Sequence, residues 1–122
     1  MLLDVSKRIG ASIINVNLEL SRRMLDLPER QRALQLPLLM REIVNEAAGE
    51  VILLDNIEIL FDVSLKLDPL RLLQNLSRNM TIVATWNGSI KNNYITYAMP
   101  DHPEYRRYPV RDFLVVAPEV TV

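Results

Sequence analysis

Residues 51–58, Val-Ile-Leu-Leu-Asp-Asn-Ile-Glu, restrict the fold of this chain more than any other stretch. Val51, Ile52, Leu53 and Leu54 are apolar at every position, and successive side chains of a strand point to opposite faces. A strand with no polar face needs cover on both sides, which parallel sheets beneath helices provide. The run ends in two carboxylates, Asp55 and Glu58, spaced i and i+3. Open α/β sheets bind ligands beyond the carboxyl ends of their strands, which is where this acidic pair falls.

The rest of the chain alternates helix and strand signals. Residues 2–9 read as the last turns of a helix, with Leu2, Val5 and Ile9 on one face and Gly10 as the stop. Ile13–Val16 is a short strand rich in β-branched residues, and Asn17–Asp26 reads as a polar connection. Leu27-Pro28-Glu29 opens a helix that Pro37 is expected to break. Leu36, Leu39, Met40, Ile43 and Ala47 keep helical spacing until Gly49. After Val51–Leu54, Asp68 and Pro69 supply an N-cap and a first helical residue, with Leu72, Leu73 and Leu76 facing inward. Thr81–Thr85 is the next strand, closed by the turn signal Trp86-Asn87-Gly88. Asn93–Ala98 reads as an exposed strand or hairpin arm. Met99–Pro109 holds three of the seven prolines and reads as loop. Phe113–Val116 is the last strand. This order predicts an α/β fold with a parallel sheet, built as a single domain over residues 1–122.

Charge and composition narrow the function. With 14 basic and 15 acidic residues, and a net charge of −1, no overall field steers the chain to nucleic acid or membrane. The absence of cysteine excludes disulfides, thiolate metal sites and a cysteine nucleophile. A single histidine, His102, excludes a multi-histidine cluster, and its place between Asp101 and Pro103 reads as structural. No apolar run approaches the roughly 20 residues that span a bilayer. The first residues also lack the basic-then-apolar order of a signal peptide. The expected location is the cytoplasm, with no membrane partner.

The acidic pair has the form of a Walker B element. Asp55 would serve a magnesium ion, which prefers oxygen ligands and keeps several waters. Glu58 would polarise a water for attack on a γ-phosphate. The alternative stays open: Asp55 caps the following turn and Glu58 is solvated. Asn87 follows the neighbouring strand and could sense the γ-phosphate, or serve only as the turn residue before Gly88. Arg106 and Arg107, between Tyr105 and Tyr108, could act as an arginine finger or contact a nucleic-acid phosphate. A solvated loop is the plainer reading for them, as it is for Arg22, Arg23, Arg71 and Arg78. Trp86 is expected to pack beside its strand end. Against the Walker B reading stands a second fact. No G-x-x-x-x-G-K-[ST] string occurs in the 122 residues, and Gly10, Gly49 and Gly88 stand alone.

Longer strings then become recognisable. Asn15–Arg23, Leu27–Arg32, Leu53–Phe61, Asp68–Leu73 and the tail from Tyr97 through His102-Pro-Glu-Tyr-Arg-Arg-Tyr-Pro109 resemble the BrxF family. These are the P-loop-containing proteins of type 3 BREX phage-defence systems. The resemblance implies an AAA-like P-loop NTPase core, with ATP and Mg2+ as cofactors. It implies an ATP-binding component of a bacterial anti-phage complex, with ATP hydrolysis as a further expectation. The implied partners are other BREX subunits, further copies of the chain, and DNA reached through the complex. Family roles map onto Asp55 for magnesium, Glu58 for water activation and Asn87 as sensor.

The chain departs from that family at its start. The first strand, the phosphate loop and the beginning of the following helix have no counterpart here, so the sequence reads as an N-terminally truncated form. Buried backbone groups left unpaired in a sheet cost roughly 1–3 kcal/mol each. Two functions therefore stay open: an ATP-binding subunit whose cradle lies upstream of Met1, and a non-catalytic interaction module of the same complex. The chain as written is expected to show no ATPase activity and weak nucleotide affinity.

Overall fold

The computed structural model describes residues 11–47, 49–78, 80–98, 100–110 and 113. The expected helix over 2–9 lies outside them, as does all of the strand expected over 113–116 except Phe113. The chain divides at Trp86/Asn87 into two compact units.

The first unit is α/β, as the apolar run predicts. Strands β1 (Ser12–Asn15), β2 (Val51–Asp55) and β3 (Thr81–Ala84) form a parallel sheet in the order β1-β2-β3. The register sets Asn15 beside Asp55 and Leu54 beside Ala84. Ile52, Leu53 and Leu54 are all fully buried, so both faces of β2 are covered. The ladder to β3 runs past the strand ends, where the Thr81 amide donates to the Glu50 carbonyl and the Thr85 amide to the Leu54 carbonyl. On its other edge β3 has no strand partner among the described residues, and Val83 is 37% exposed.

Two helices join β1 to β2. Helix α1 (Val16–Met24) occupies the stretch expected as a polar connection, Asn17–Asp26, and that expectation is corrected. Val16, Leu20 and Met24 recur every fourth residue and are buried, which makes one narrow apolar stripe on a helix whose other residues, Leu18 apart, are polar. Fully burying such a side chain contributes about 1.5–3 kcal/mol. That holds a nine-residue helix which propensity alone would not. Asn15 caps it, its side-chain oxygen accepting from the Leu18 amide at 3.1 Å. The first strand accordingly ends at Asn15, one residue short of the expected Ile13–Val16.

Helix α2 (Glu29–Glu46) runs unbroken through Pro37, contrary to the expected break. Pro37 is exposed, so water can serve the Ala33 carbonyl that a proline leaves without a donor. Burial of Leu36, Met40, Ile43 and Val44 fixes the helix on either side. Arg23 of α1 reaches across to Glu46 of α2 at 2.7 Å and to Glu42 at 3.7 Å. Gly49, with φ of +110°, makes the turn into β2 that a side chain would strain.

Beyond β2 come two short 3-10 helices, Ile57–Phe61 and Val63–Leu65, which bury Ile57, Leu60, Phe61 and Leu65. Helix α3 (Pro69–Leu76) starts as expected, with the Asp68 side chain accepting from the Arg71 amide. Leu73 is buried, and Leu72 and Leu76 half-buried. Trp86 packs edge-on against Phe61, ring centres 5.2 Å apart and planes at 84°.

The second unit is an antiparallel sheet of β4 (Gly88–Lys91), β5 (Tyr94–Tyr97) and β6 (Arg106–Pro109), with β5 in the middle. The hairpin arm expected over Asn93–Ala98 is β5, paired with β4, though it is the central strand with Ile95 and Tyr97 buried instead of an exposed one. One expectation is corrected outright, since residues 106–109 of the expected loop form an edge strand. Asn92 and Asn93, at φ of 53° and 64°, make the tight turn between β4 and β5. His102 is a turn residue, its Nδ1 accepting from the Glu104 amide at 3.0 Å.

Candidate functional site

The carboxyl ends of β1, β2 and β3 lie along one edge of the parallel sheet. They bring Asn15, Asp55 and Thr85 into neighbouring positions. Asn15 is committed to capping α1. Asp55, half-buried, ends the middle strand. Its Oδ1 accepts from the Thr85 hydroxyl at 2.9 Å and from the Asn56 amide at 2.9 Å. Both bonds converge on one oxygen, so the carboxylate is clamped in orientation while Oδ2 keeps its acceptor capacity.

The backbone turns sharply directly after Asp55. Asn56 takes the left-handed conformation, φ 53° and ψ 52°, a region where asparagine is enriched among non-glycine residues. The Asn56 carbonyl accepts from the Asn17 amide at 3.1 Å, which ties the turn to the first turn of α1. Glu58 then falls in the first turn of a 3-10 helix and is half-buried. The two acids thus leave the sheet edge on either side of a left-handed residue, and the short helix between Ile57 and Phe61 is anchored by buried apolar side chains.

Asn87 opens the second unit and is exposed, next to Gly88 at the start of β4. The polar residue that directly follows β3 and touches the β2 acid is Thr85, to which the sequence pattern assigns no site role. The available signal was modest: a threonine closing an apolar strand. Its partner lies 30 residues away and becomes visible only when β2 and β3 are paired in register.

Chemically, Asp55 suits a hard cation held chiefly by water and phosphate oxygens, because it offers one carboxylate. No group of three or more His, Cys, Asp or Glu capable of holding a metal exists among the described residues. Asp55 offers such an ion a single protein ligand, and Gly10, Gly49 and Gly88 are widely separated in the sequence. No helix among the described residues is long and apolar enough to cross a membrane.

The fold and this edge define a small α/β unit with an acidic pair at the carboxyl end of its central parallel strand. Comparison of the chain with protein-family models, with curated proteins and with solved structures gave no match.

Proposed function

We propose that this chain is an ATP-binding component of a bacterial BREX anti-phage system, acting in the cytoplasm with other BREX subunits and with DNA reached through the complex. The proposed core is an AAA-like P-loop NTPase. Asp55 faces magnesium, and Glu58 accepts the proton of the water that attacks the γ-phosphate while the bond to the leaving diphosphate breaks. The observation that carries the reading is Asp55 at the carboxyl end of a central parallel strand whose Ile52, Leu53 and Leu54 are buried, with Glu58 three residues on. Strand order also supports it. The acid-bearing β2 lies beside and parallel to β3, and the edge of β3 that has no strand partner among the described residues offers a place for a further strand. Asn87 keeps the sensor role as the family resemblance implies it.

One observation favours the second reading, a non-catalytic interaction module. Asp55 already links β2 to Thr85, as a structural carboxylate would. The experiment reads the codons in frame ahead of Met1 and titrates Mg-ATP into the protein of the whole reading frame. A G-x-x-x-x-G-K-[ST] string, with magnesium-dependent binding lost in Asp55→Asn and hydrolysis alone slowed in Glu58→Gln, supports the nucleotide reading. A stop codon directly upstream, or unchanged binding in Asp55→Asn, overturns it.

A further inference from the structure

The β4–β5–β6 sheet has two chemically different faces. Side chains alternate along each strand, so the register sorts them without ambiguity. Ile95 and Tyr97 are buried on one face, where Ile90, Tyr108 and Arg106 stand beside them. The other face carries Ser89 and Lys91 from β4, Tyr94 and Thr96 from β5, and Arg107 and Pro109 from β6. Arg106 and Arg107, adjacent in sequence, therefore serve opposite sides of the sheet.

On the second face Lys91 pairs directly with Tyr94, and the Arg107 guanidinium lies over the Tyr94 ring at 3.8 Å. A guanidinium over an aromatic face is held there by cation–π attraction, and both groups are of the kind on which unstacked bases rest. Ser89 and Thr96 are bonded to each other at 3.0 Å and add two hydroxyls beside the Arg107–Tyr94 pair. Lys91 and Arg107 are exposed, and the three strands contain no acidic residue. Asp101 and Glu104 sit in the loop between β5 and β6, at the end of the sheet opposite the Asn92–Asn93 turn that follows Lys91.

We propose that this face of the β4–β5–β6 sheet binds single-stranded nucleic acid. Lys91 and the edge of Arg107 hold phosphates, and the Arg107–Tyr94 pair offers a platform to one base. Positive charge on strands that carry no acid selects a polyanion. The Arg107–Tyr94 pair selects one with exposed bases over a duplex or a lipid surface. Contacts to phosphate carry no sequence information, so binding is weak and tolerant of sequence. The inference is independent of nucleotide binding at Asp55.

The test is fluorescence anisotropy with a labelled twelve-nucleotide oligothymidylate. Two phosphate contacts on a single strand give a salt slope of about −1.4, a loss of affinity of about sevenfold between 50 and 200 mM salt. Lys91→Ala/Arg107→Ala should abolish binding. Arg106→Ala, on the other face, should bind as the native protein does. Arg107→Lys keeps the charge and loses the planar guanidinium, so it should weaken binding without changing the slope. Circular dichroism checks each fold, and Lys91→Glu at the edge strand replaces the double variant if that one unfolds. Native-like binding by Lys91→Ala/Arg107→Ala or by its replacement Lys91→Glu overturns the proposal. So does equal loss in Arg106→Ala, absence of salt dependence, or equal affinity for a poly-glutamate peptide.

Discussion

The bond from Thr85 to Asp55 can be weighed by a double-mutant cycle. Thr85→Val keeps the shape of the side chain and removes its hydroxyl, so no cavity is created. Hydrogen bonds to charged groups contribute about 1.5–3 kcal/mol. Both residues are half-buried, and partial exposure lowers that figure to about 1 kcal/mol. Asp55→Ala loses this bond and the one from the Asn56 amide, and should cost about 2 kcal/mol. In the double variant the loss of the shared bond is counted once, which predicts a coupling of about 1 kcal/mol. The assay is urea unfolding followed by fluorescence. Trp86 is the single tryptophan and packs on Phe61, so its emission reports the first unit. With a slope of about 2 kcal/mol per molar, the coupling appears as a midpoint difference of about 0.5 M. Additive effects, within about 0.3–0.5 kcal/mol, would refute the reasoning, because independent sites behave that way.

Two further variants test the helices by the same urea assay. Pro37→Ala should stabilise the first unit by about 2 kcal/mol. A proline within a helix costs about 3 kcal/mol, and its stiffening of the unfolded chain returns about 0.4–1 kcal/mol. A loss of stability would mean the helix needs its proline. Asn15→Ala should cost about 1 kcal/mol through loss of the α1 cap, whereas Asn15→Asp should be close to neutral. Equal losses in both would assign the effect to strand pairing instead.

The parts of the fold that were legible are those where one residue pattern has one physical solution. Val51–Leu54 has no polar face, so it had to be a strand covered on both sides. Asp68-Pro69 meets both demands of a helix start in adjacent positions. Helix α1 is hard to read because only three of its nine residues are buried, and its Val16-Leu20-Met24 stripe is diluted by polar neighbours. The cap at Asn15 was the overlooked signal. Strand β6 was missed because arginines and a proline suggest loop, although an edge strand tolerates both. At the candidate site, Asp55 and Glu58 could be read from spacing alone. Thr85 could not, since its contact depends on how two strands align, which local sequence does not encode. The division of Arg106 from Arg107 likewise follows only once strand alternation replaces a loop.

The left-handed geometry of Asn56 places an unusual demand on a single codon. Glycine, aspartate and asparagine visit that region of backbone space at little cost, while branched and bulky side chains do not. A substitution there would leave both neighbouring acids chemically intact and still send them in different directions. Of the two uncharged residues between Asp55 and Glu58, Asn56 is the one held in the left-handed region, and any lineage or designer wishing to redirect this pair has its lever at position 56.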